Sequence, residues 1–307
     1  MIKGLSITPP ILGRISIGRV VMKNDKRIPE KDDQFTITTQ VQGPDGWLLH
    51  PLDKELRESS DSANTKLRSI PVSCLFDAPD LNLRAEYSCF DRQSGRPLCV
   101  GDGETCKRST QDGTESLPCP SPSHCEFGKG GLCKPYGRLH VQVGDDDDLG
   151  SFVFRTTGFN SIRTLSARLS YYQAVSGGLL SCMPLELKLR GKSTTQSYRR
   201  AIYYVDLVVR DGLTLQEAVA EASTVHLDRQ SKGINQVTLD AAARLGFGNG
   251  EFECDEEEGG EVVEEFYPQA DSPKTSTASD EGHASASLQA TANLSDKLKA
   301  KTTVNLQ

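Results

Sequence analysis

The sequence lacks long apolar runs and has few aromatic side chains. No stretch approaches the about 18 consecutive apolar residues that span a membrane, and aromatic residues make up only 6% of the 307 residues. Hydrophobic residues make up 36% of the chain, below the roughly 45–50% of a typical globular domain. The first residues, Met1-Ile2-Lys3-Gly4, lead into no apolar run of the kind found in secretory signals. We therefore expect a soluble, cytoplasmic protein, part of whose chain lies outside any packed core.

The sequence also lacks the motifs of common enzymes. It contains no phosphate-binding loop of the form Gly-x-x-x-x-Gly-Lys-Ser/Thr, no Gly-x-Ser-x-Gly and no His-Glu-x-x-His. Its five histidines offer little general-base chemistry, because His50 and His140 each lie singly in or beside a strand pattern. The sequence predicts a protein that is not an enzyme. A metal-dependent hydrolase is the weaker alternative.

The acidity of the chain is concentrated in its C-terminal part. Residues 251–307 contain 13 acidic residues and 4 lysines, a net charge of −9, whereas the whole chain carries −7, which leaves +2 for residues 1–250. Three consecutive glutamates, Glu256 to Glu258, open this part, and a Ser/Thr/Ala-rich run follows them. A segment with so few large apolar groups cannot offset the entropy cost of ordering. We predict that residues 251–307 form a disordered acidic tail.

Six of the nine cysteines fall within one 45-residue segment, from Cys89 to Cys133. An odd number of cysteines without an export signal favours metal binding over a complete disulfide framework. The segment is rich in Gly, Pro, Ser and Asp and nearly empty of aliphatic side chains, so it cannot hold itself together by apolar burial. A Zn²⁺ ion bound by thiolates supplies that folding free energy in small zinc modules. The segment therefore predicts a closed, structural zinc site.

The spacing of these cysteines suggests a ligand set without fixing it. We predict Cys99, Cys119, Cys125 and Cys133 as the ligands, with Cys106 as the rival for the fourth position. The spacings are looser than the two-to-four-residue knuckles of common zinc modules. His124 in place of one thiolate and participation of Cys89 both remain open.

The rest of the chain predicts an α+β fold, mainly antiparallel sheet with a few helices. Period-two alternation or compact apolar runs indicate strands at residues 11–21, 35–39, 47–49, 70–76, 138–143, 151–155, 185–189 and 202–209. We expect residues 24–33 to form a charged connection between the strands at 11–21 and 35–39. Helices are expected from an Asn160 or Ser161 cap to Gly177, from the capping box at Thr214 through Ala222, and over residues 238–245. We predict four parts: a β-rich part at 1–88, the Cys-rich zinc-binding insertion at 89–137, the rest of the body at 138–250, and the tail.

Basic residues cluster at one place, where a loop is expected to join two strands. The cations are Lys188, Arg190, Lys192, Arg199 and Arg200. Such a loop can contact nucleic-acid phosphates, although charge runs are more often simply solvated. This loop supports an alternative function as a DNA- or replication-associated binding protein, with weak direct DNA contact.

Three stretches of the sequence resemble one family. They are Met1-Ile2-Lys3-Gly4-Leu5, the run from Cys119-Pro120-Ser121-Pro122-Ser123-His124-Cys125 to Cys133-Lys134-Pro135, and Phe154-Arg155-Thr156-Thr157-Gly158-Phe159-Asn160-Ser161-Ile162. With them, about residues 1–210 resemble phage and prophage proteins of the recombination directionality factor-like group. Some relatives are labelled only "hydrolase or metal-binding protein".

The resemblance implies an accessory protein made in a bacterial host cell. Members of the group from actinophages bind a large serine integrase that is already on attachment-site DNA, and they bias it from integration towards excision. The expected partner is therefore such an integrase. No contact residue is implied individually.

Overall fold

A computed structural model describes residues 10–23, 26–43, 46–59, 66–111, 113–144, 150–193, 201–247, 263 and 266. The chain divides into two units, Met1–Gln269 and Ala270–Gln307, and every described residue belongs to the first. Most of the predicted tail, residues 251–307, lies outside the described residues, as do Met1 to Leu5, Arg199 and Arg200.

The described residues form twelve strands and five α-helices. The strands are β1 Ile11–Lys23, β2 Lys26–Gly43, β3 Gly46–Leu49, β4 Ser69–Cys74, β5 Leu83–Phe90, β6 Pro97–Gly101, β7 Thr105–Thr110, β8 Gly113–Pro118, β9 Cys133–Val143, β10 Ser151–Thr156, β11 Leu185–Lys192 and β12 Ile202–Val209. The helices are α1 Pro51–Glu58, α2 Pro79–Asn82, α3 Phe159–Val175, α4 Leu215–Ser231 and α5 Gln236–Phe247. The predicted α+β class is confirmed.

One sheet contains all the described strands, and β9 is its central strand. The order along the main path is β3-β2-β1-β10-β9-β5-β6-β7-β8, with β4, β11 and β12 as a branch from β9. Only the β1–β10 ladder is parallel among the described strands. Strands β4 and β5 pair with opposite ends of β9, at Val143 and Cys133 respectively. The Cys-rich segment is therefore the continuation of the main sheet beyond β9 and β5.

The core lies on one face of this sheet, where alternate strand residues meet the helices. Its fully buried members come from β2, β4, β9, β11, β12 and helix α3, and include Ile37, Ile70, Leu139, Leu165, Leu169, Leu187 and Leu207. Helix α4 contributes two small residues, Ala218 and Ala222, neither of them exposed. Burying such aliphatic side chains contributes about 1.5–3 kcal/mol each, which holds the helices on the sheet.

Helix α3 begins earlier than its sequence suggested. Its N-cap is Gly158 rather than Asn160 or Ser161, and no side chain caps it. The Ser161 hydroxyl instead accepts a hydrogen bond from the backbone N–H of Val205, at 3.1 Å. This bond ties the first turn of the helix to strand β12. The helix ends as predicted, before Gly177 and Gly178, whose φ values are +68° and +92°.

Helix α4 has the predicted capping box but runs nine residues beyond the predicted end. The Thr214 hydroxyl accepts from the backbone N–H of Glu217, and the Glu217 carboxylate accepts from the N–H of Thr214. No Gly or Pro interrupts the sequence before Gly233, so the polar turns after Ala222 continue the helix although they lack an apolar stripe.

The predicted connection at residues 24–33 is wrong for residues 26–33, which belong to strand β2; residues 24 and 25 lie outside the described residues. Strands β1 and β2 continue as a hairpin out to Lys23 and Lys26, which are paired. Beyond Ile17, strand β1 pairs only with β2 among the described strands. Among the described strands, none pairs with that part of the hairpin from the side, so the pairing there does not require a period-two pattern.

No described helix is long and apolar enough to cross a membrane.

Candidate metal centre

Three cysteines stand in a row across neighbouring strands. Cys89 on β5 lies directly opposite Cys99 on β6 and, on its other side, directly opposite Cys133 on β9. Residues directly opposite each other in a ladder share a face of the sheet. Cys106 on β7 lies opposite Gly101, which is two residues from Cys99 and so belongs to the same face. Four thiols therefore project from one face of the sheet.

Two further thiols reach this face from the connection between β8 and β9. Cys119 is held by a backbone hydrogen bond from its N–H to the carbonyl of Glu104, at 2.8 Å. Cys125 lies in the turn that follows. The six thiols line a cavity of about 10 Å³, together with Arg108, Phe127 and other neighbours. This volume is about that of one water-sized sphere, so the cavity has the size for one ion.

Glycines allow the chain to close around the cavity. A Cβ at Gly101 would lie 2.6 Å from the Cβ of Cys106 and 3.0 Å from the Sγ of Cys119. A Cβ at Gly128 would lie 2.6 Å from the Cβ of Cys133. Side chains at these two positions would therefore push three of the thiols away. This is a local reason for the glycine content of the segment.

All six cysteines are free thiols, and their surroundings favour the protonated form. Burial raises the pKa of Cys133 to about 12, and the neighbouring thiols Cys89, Cys99, Cys119 and Cys125 add to this rise. Burial also raises the pKa of Cys106 to about 11, assisted by a hydrogen bond with Cys99. Several thiolates can coexist here only beside a compensating positive charge, which a divalent cation supplies.

Arg108 places a fixed positive charge at the edge of the cluster. Its Nη2 lies 4.0 Å from the Sγ of Cys125, and its Cζ lies 4.2 Å from the ring centre of Phe127. Burial alone would lower the pKa of Arg108, but a hydrogen bond with Cys99 and the charges of nearby thiols raise it above its ordinary value. The guanidinium is thus oriented by an aromatic ring and directed at the sulfur atoms.

The structure brings together every thiol named from the sequence. Cys99, Cys119, Cys125 and Cys133 share the cavity with Cys106, and Cys89 joins them. His124 does not line the cavity and is exposed. Among the described residues, no three His, Cys, Asp or Glu side chains already stand in metal-ligand positions, so coordination requires the thiols to move towards a common centre.

The predicted basic loop is wrong for three of its cations, because Lys188, Arg190 and Lys192 lie on strand β11, where it pairs with β12. Each of the three has a partner within the chain. Lys188 bonds Glu186 at 3.1 Å, Arg190 contacts Asp206 at 3.4 Å, and Lys192 donates to the Oδ1 of Asn160 at 2.8 Å. Arg199 and Arg200 lie outside the described residues. The side chains of the three described cations are therefore held by groups on β11, β12 and α3.

One residue of the predicted disordered tail is packed on the body. Phe266 is fully buried and forms a cluster with Phe90 and Tyr136. Phe266 directly follows two glutamates within the acidic stretch, and this contact was not predicted from the sequence. The tail prediction therefore does not hold for Phe266.

The fold and the thiol cluster define an α+β protein with a cysteine-lined module at one end of its sheet. Residues 12–210 match the model of the Gp3-like family, described as recombination directionality factor-like. The chain belongs to this family, and the resemblance stated from the sequence is confirmed. The match includes all six clustered cysteines. No significant match was found among curated proteins or among solved structures. The family gives the protein a role in the regulation of phage recombination.

Proposed function

We propose that this protein regulates site-specific recombination by binding a large serine integrase on attachment-site DNA and biasing it towards excision. The observation that supports this proposal is the family match over residues 12–210. We further propose that it acts without an active site of its own. In support, the ring of His50 accepts a hydrogen bond from the N–H of Leu52 at the start of α1, and His140 is buried within the sheet.

A factor of this kind works by shifting a population between two arrangements of the integrase. It must bind the excision-competent arrangement more tightly than the integration-competent one. A difference of about 1–3 kcal/mol corresponds to typical coupling between sites, and about 5.5 kcal/mol is needed for a nearly complete switch. A protein surface of fixed shape can supply such a difference in binding free energy, and a sheet can provide a surface of this kind.

We propose that one structural zinc ion provides that rigidity in the Cys-rich module. Cys99, Cys119, Cys125 and Cys133 would hold it, with Cys106 as the rival for the fourth position. Thiolates are the preferred ligands of zinc, and a structural site contributes of order 10 kcal/mol in small modules. Arg108 would orient the sulfur atoms from outside the ligand set and offset their negative charge.

The function is tested by a recombination assay with the integrase of the same genetic element. Purified protein is added to integrase with attL and attR substrates, and separately with attP and attB substrates. We expect it to promote the excision reaction and to inhibit integration. An unchanged product ratio, together with no integrase binding in a pull-down, would contradict the proposal.

Direct DNA binding is tested in the same experiment. We expect DNA alone to be shifted weakly or not at all at physiological salt, and to be shifted strongly when integrase is present. A strong, salt-sensitive shift by the protein alone would instead support the DNA-binding alternative, because phosphate contacts weaken steeply as salt rises.

A further inference from the structure

Phe266 occupies an aromatic socket on the body of the protein. Its ring lies edge-on to Phe90, with centroids 4.9 Å apart, and to Tyr136, with centroids 5.8 Å apart. The ammonium group of Lys134 donates to the carbonyl oxygen of Phe266 at 2.8 Å and lies 5.3 Å from its ring centre. Edge-to-face pairs of aromatic rings are stabilising beyond the burial of their area. The socket therefore recognises both the ring and the backbone of one residue.

The socket is built on the back of the thiol cluster. Phe90 directly follows Cys89, and Lys134 directly follows Cys133. Successive residues of a strand point to opposite faces of a sheet. The thiols therefore project from one face of the β5–β9 pair, and the socket opens on the other.

A row of three arginines continues this second face from the socket. Arg84, Arg138 and Arg155 stand directly opposite one another on β5, β9 and β10. The Cζ of Arg138 lies 5.5 Å from the ring centre of Tyr136, so the row adjoins the socket. Like charges that face each other across a ladder destabilise a sheet. An arrangement of this kind is favourable only when anions accompany it.

Within the row, one carboxylate serves two guanidinium groups. Glu86 accepts from the Nε of Arg84 at 2.7 Å and from the Nη2 of Arg138 at 3.2 Å. His140 lies two residues beyond Arg138, on the same face. Burial, together with the charges of the three arginines, lowers the pKa of His140 to about 3. This imidazole is therefore neutral, and its neighbours make the surrounding potential positive.

The residues that precede Phe266 match this surface in charge. Glu261, Glu264 and Glu265 lie within five residues of it. Phe266 packs against Tyr136, and Tyr136 adjoins the arginine row. Because one residue spans at most about 3.6 Å of extended chain, a short segment that ends at Phe266 is long enough to extend from the socket to the row. The aromatic ring fits the socket, and the acidic residues complement the row.

We propose that the socket and the arginine row form a binding site for an acidic peptide with one aromatic residue, and that residues 261–266 of this chain occupy it. The chain thus carries its own competitor. An intramolecular ligand on a short linker acts at an effective concentration of about millimolar, so a partner with a similar peptide has to displace it. The contacts that define the socket involve no thiol of the cluster.

The test uses a full-length Phe266→Ala variant and a fluorescein-labelled peptide of residues 261–266, in which Phe266 is the one aromatic residue. We expect the peptide to bind the variant about tenfold or more tightly than it binds the wild type, because the internal competitor is weakened. The same peptide with Ala in place of its Phe should lose binding. Affinity for the intact peptide should fall as NaCl is raised, since charge pairs are screened.

Two further variants locate the site. Addition of Phe90→Ala to Phe266→Ala removes part of the socket and should abolish peptide binding, while Arg155→Gln in the same background should weaken it and reduce its salt dependence. Near-ultraviolet circular dichroism checks that each variant is folded. If Phe266→Ala does not fold, full-length protein with Glu261, Glu264 and Glu265 changed to Gln keeps the ring and should still bind the peptide more tightly than the wild type. Equal binding by wild type and both competitor-weakened variants, or no binding by any of them, overturns the proposal.

Discussion

Cys89 and Cys133 lie directly opposite each other across the ladder between β5 and β9. This pairing connects the thiol cluster to the central strand of the sheet, because β9 also pairs with β4 and β10. A metal ion at the cluster would therefore stabilise the register of β9 as well as the glycine-rich turns. We therefore expect removal of the ion to lower the stability of the body of the protein as well as that of the Cys-rich segment.

The first prediction concerns zinc content. Purified, reduced protein should contain one zinc per chain, and Cys133→Ser should lose it, because Cys133 neighbours four other thiols of the cluster. The matched control is Cys182→Ser, a buried free thiol outside the cluster, which should retain full zinc content. Elemental analysis measures both. Zinc-free wild-type protein with an unchanged melting temperature in EDTA would contradict the metal site.

The second prediction separates the ligands from their neighbours. Single Ser variants at Cys99, Cys119 and Cys125 should lose zinc as Cys133→Ser does, whereas Cys89→Ser should keep it. Loss of zinc in Cys106→Ser together with its retention in Cys99→Ser would assign the fourth position to Cys106. Competition with a chromogenic chelator measures the zinc affinity of each variant and so ranks the contributions of the cysteines.

The third prediction concerns close packing at Gly101. An added Cβ would lie 2.7 Å from the backbone carbonyl oxygen of Thr105 and 2.6 Å from the Cβ of Cys106, so Gly101→Ala must displace β7. We expect a loss of about 1–3 kcal/mol in the free energy of unfolding, typical of overpacking, and weaker zinc binding. The control is Gly191→Ala on β11, where the nearest atom belongs to the movable ring of Tyr203, at 3.3 Å. Equal urea midpoints for the two variants would contradict this account.

The fourth prediction concerns pH. Burial lowers the pKa of His140 from 6.5 to about 3, and the charges of three neighbouring arginines act in the same direction. Between these two values the unfolded state binds a proton that the folded state does not, so this histidine makes stability fall as pH falls from about 6.5 towards 3. The slope is at most about 1.4 kcal/mol per pH unit. His140→Gln removes this contribution, and urea unfolding at several pH values should show a shallower decline than for wild type. Parallel stability curves would contradict a neutral buried His140.

Local patterns predicted the strands of the body, because one face of each is buried and the other is not. The alternation at residues 138–143 and 151–155 corresponds to β9 and β10, which pair antiparallel as expected. The convergence of the cavity thiols was indicated by their closeness in sequence, since all six fall within residues 89–133. Whether Cys89 shares the cavity with the predicted ligands depends on the register of β5 with β6 and β9, and such long-range pairing has no local signature. Closeness in sequence was misleading for His124, which is next to Cys125 in the chain but is exposed and does not line the cavity.

Helix α1 was missed because it is short and held by one buried charge rather than by an apolar stripe. Asp53 is 4% exposed, and its Oδ1 accepts from the backbone N–H of Ile37 at 2.9 Å. Its Oδ2 accepts from the Nε of Arg57 at 2.7 Å, one helical turn further on. The guanidinium of Arg57 also donates to the carbonyl oxygen of Phe35, at 2.8 Å. One carboxylate therefore fastens the helix to strand β2.

The last prediction follows from that attachment. Asp53→Ala removes the acceptor for a buried backbone N–H and leaves Arg57 without its carboxylate, so we expect a loss of about 3 kcal/mol in the free energy of unfolding. The adjacent residue provides the control, because Lys54 pairs with Glu58 at 3.7 Å and its side chain is 81% exposed. Lys54→Ala should change stability by less than about 0.5 kcal/mol. Urea unfolding of the two variants measures the difference, and similar midpoints would show that Asp53 does not anchor the helix.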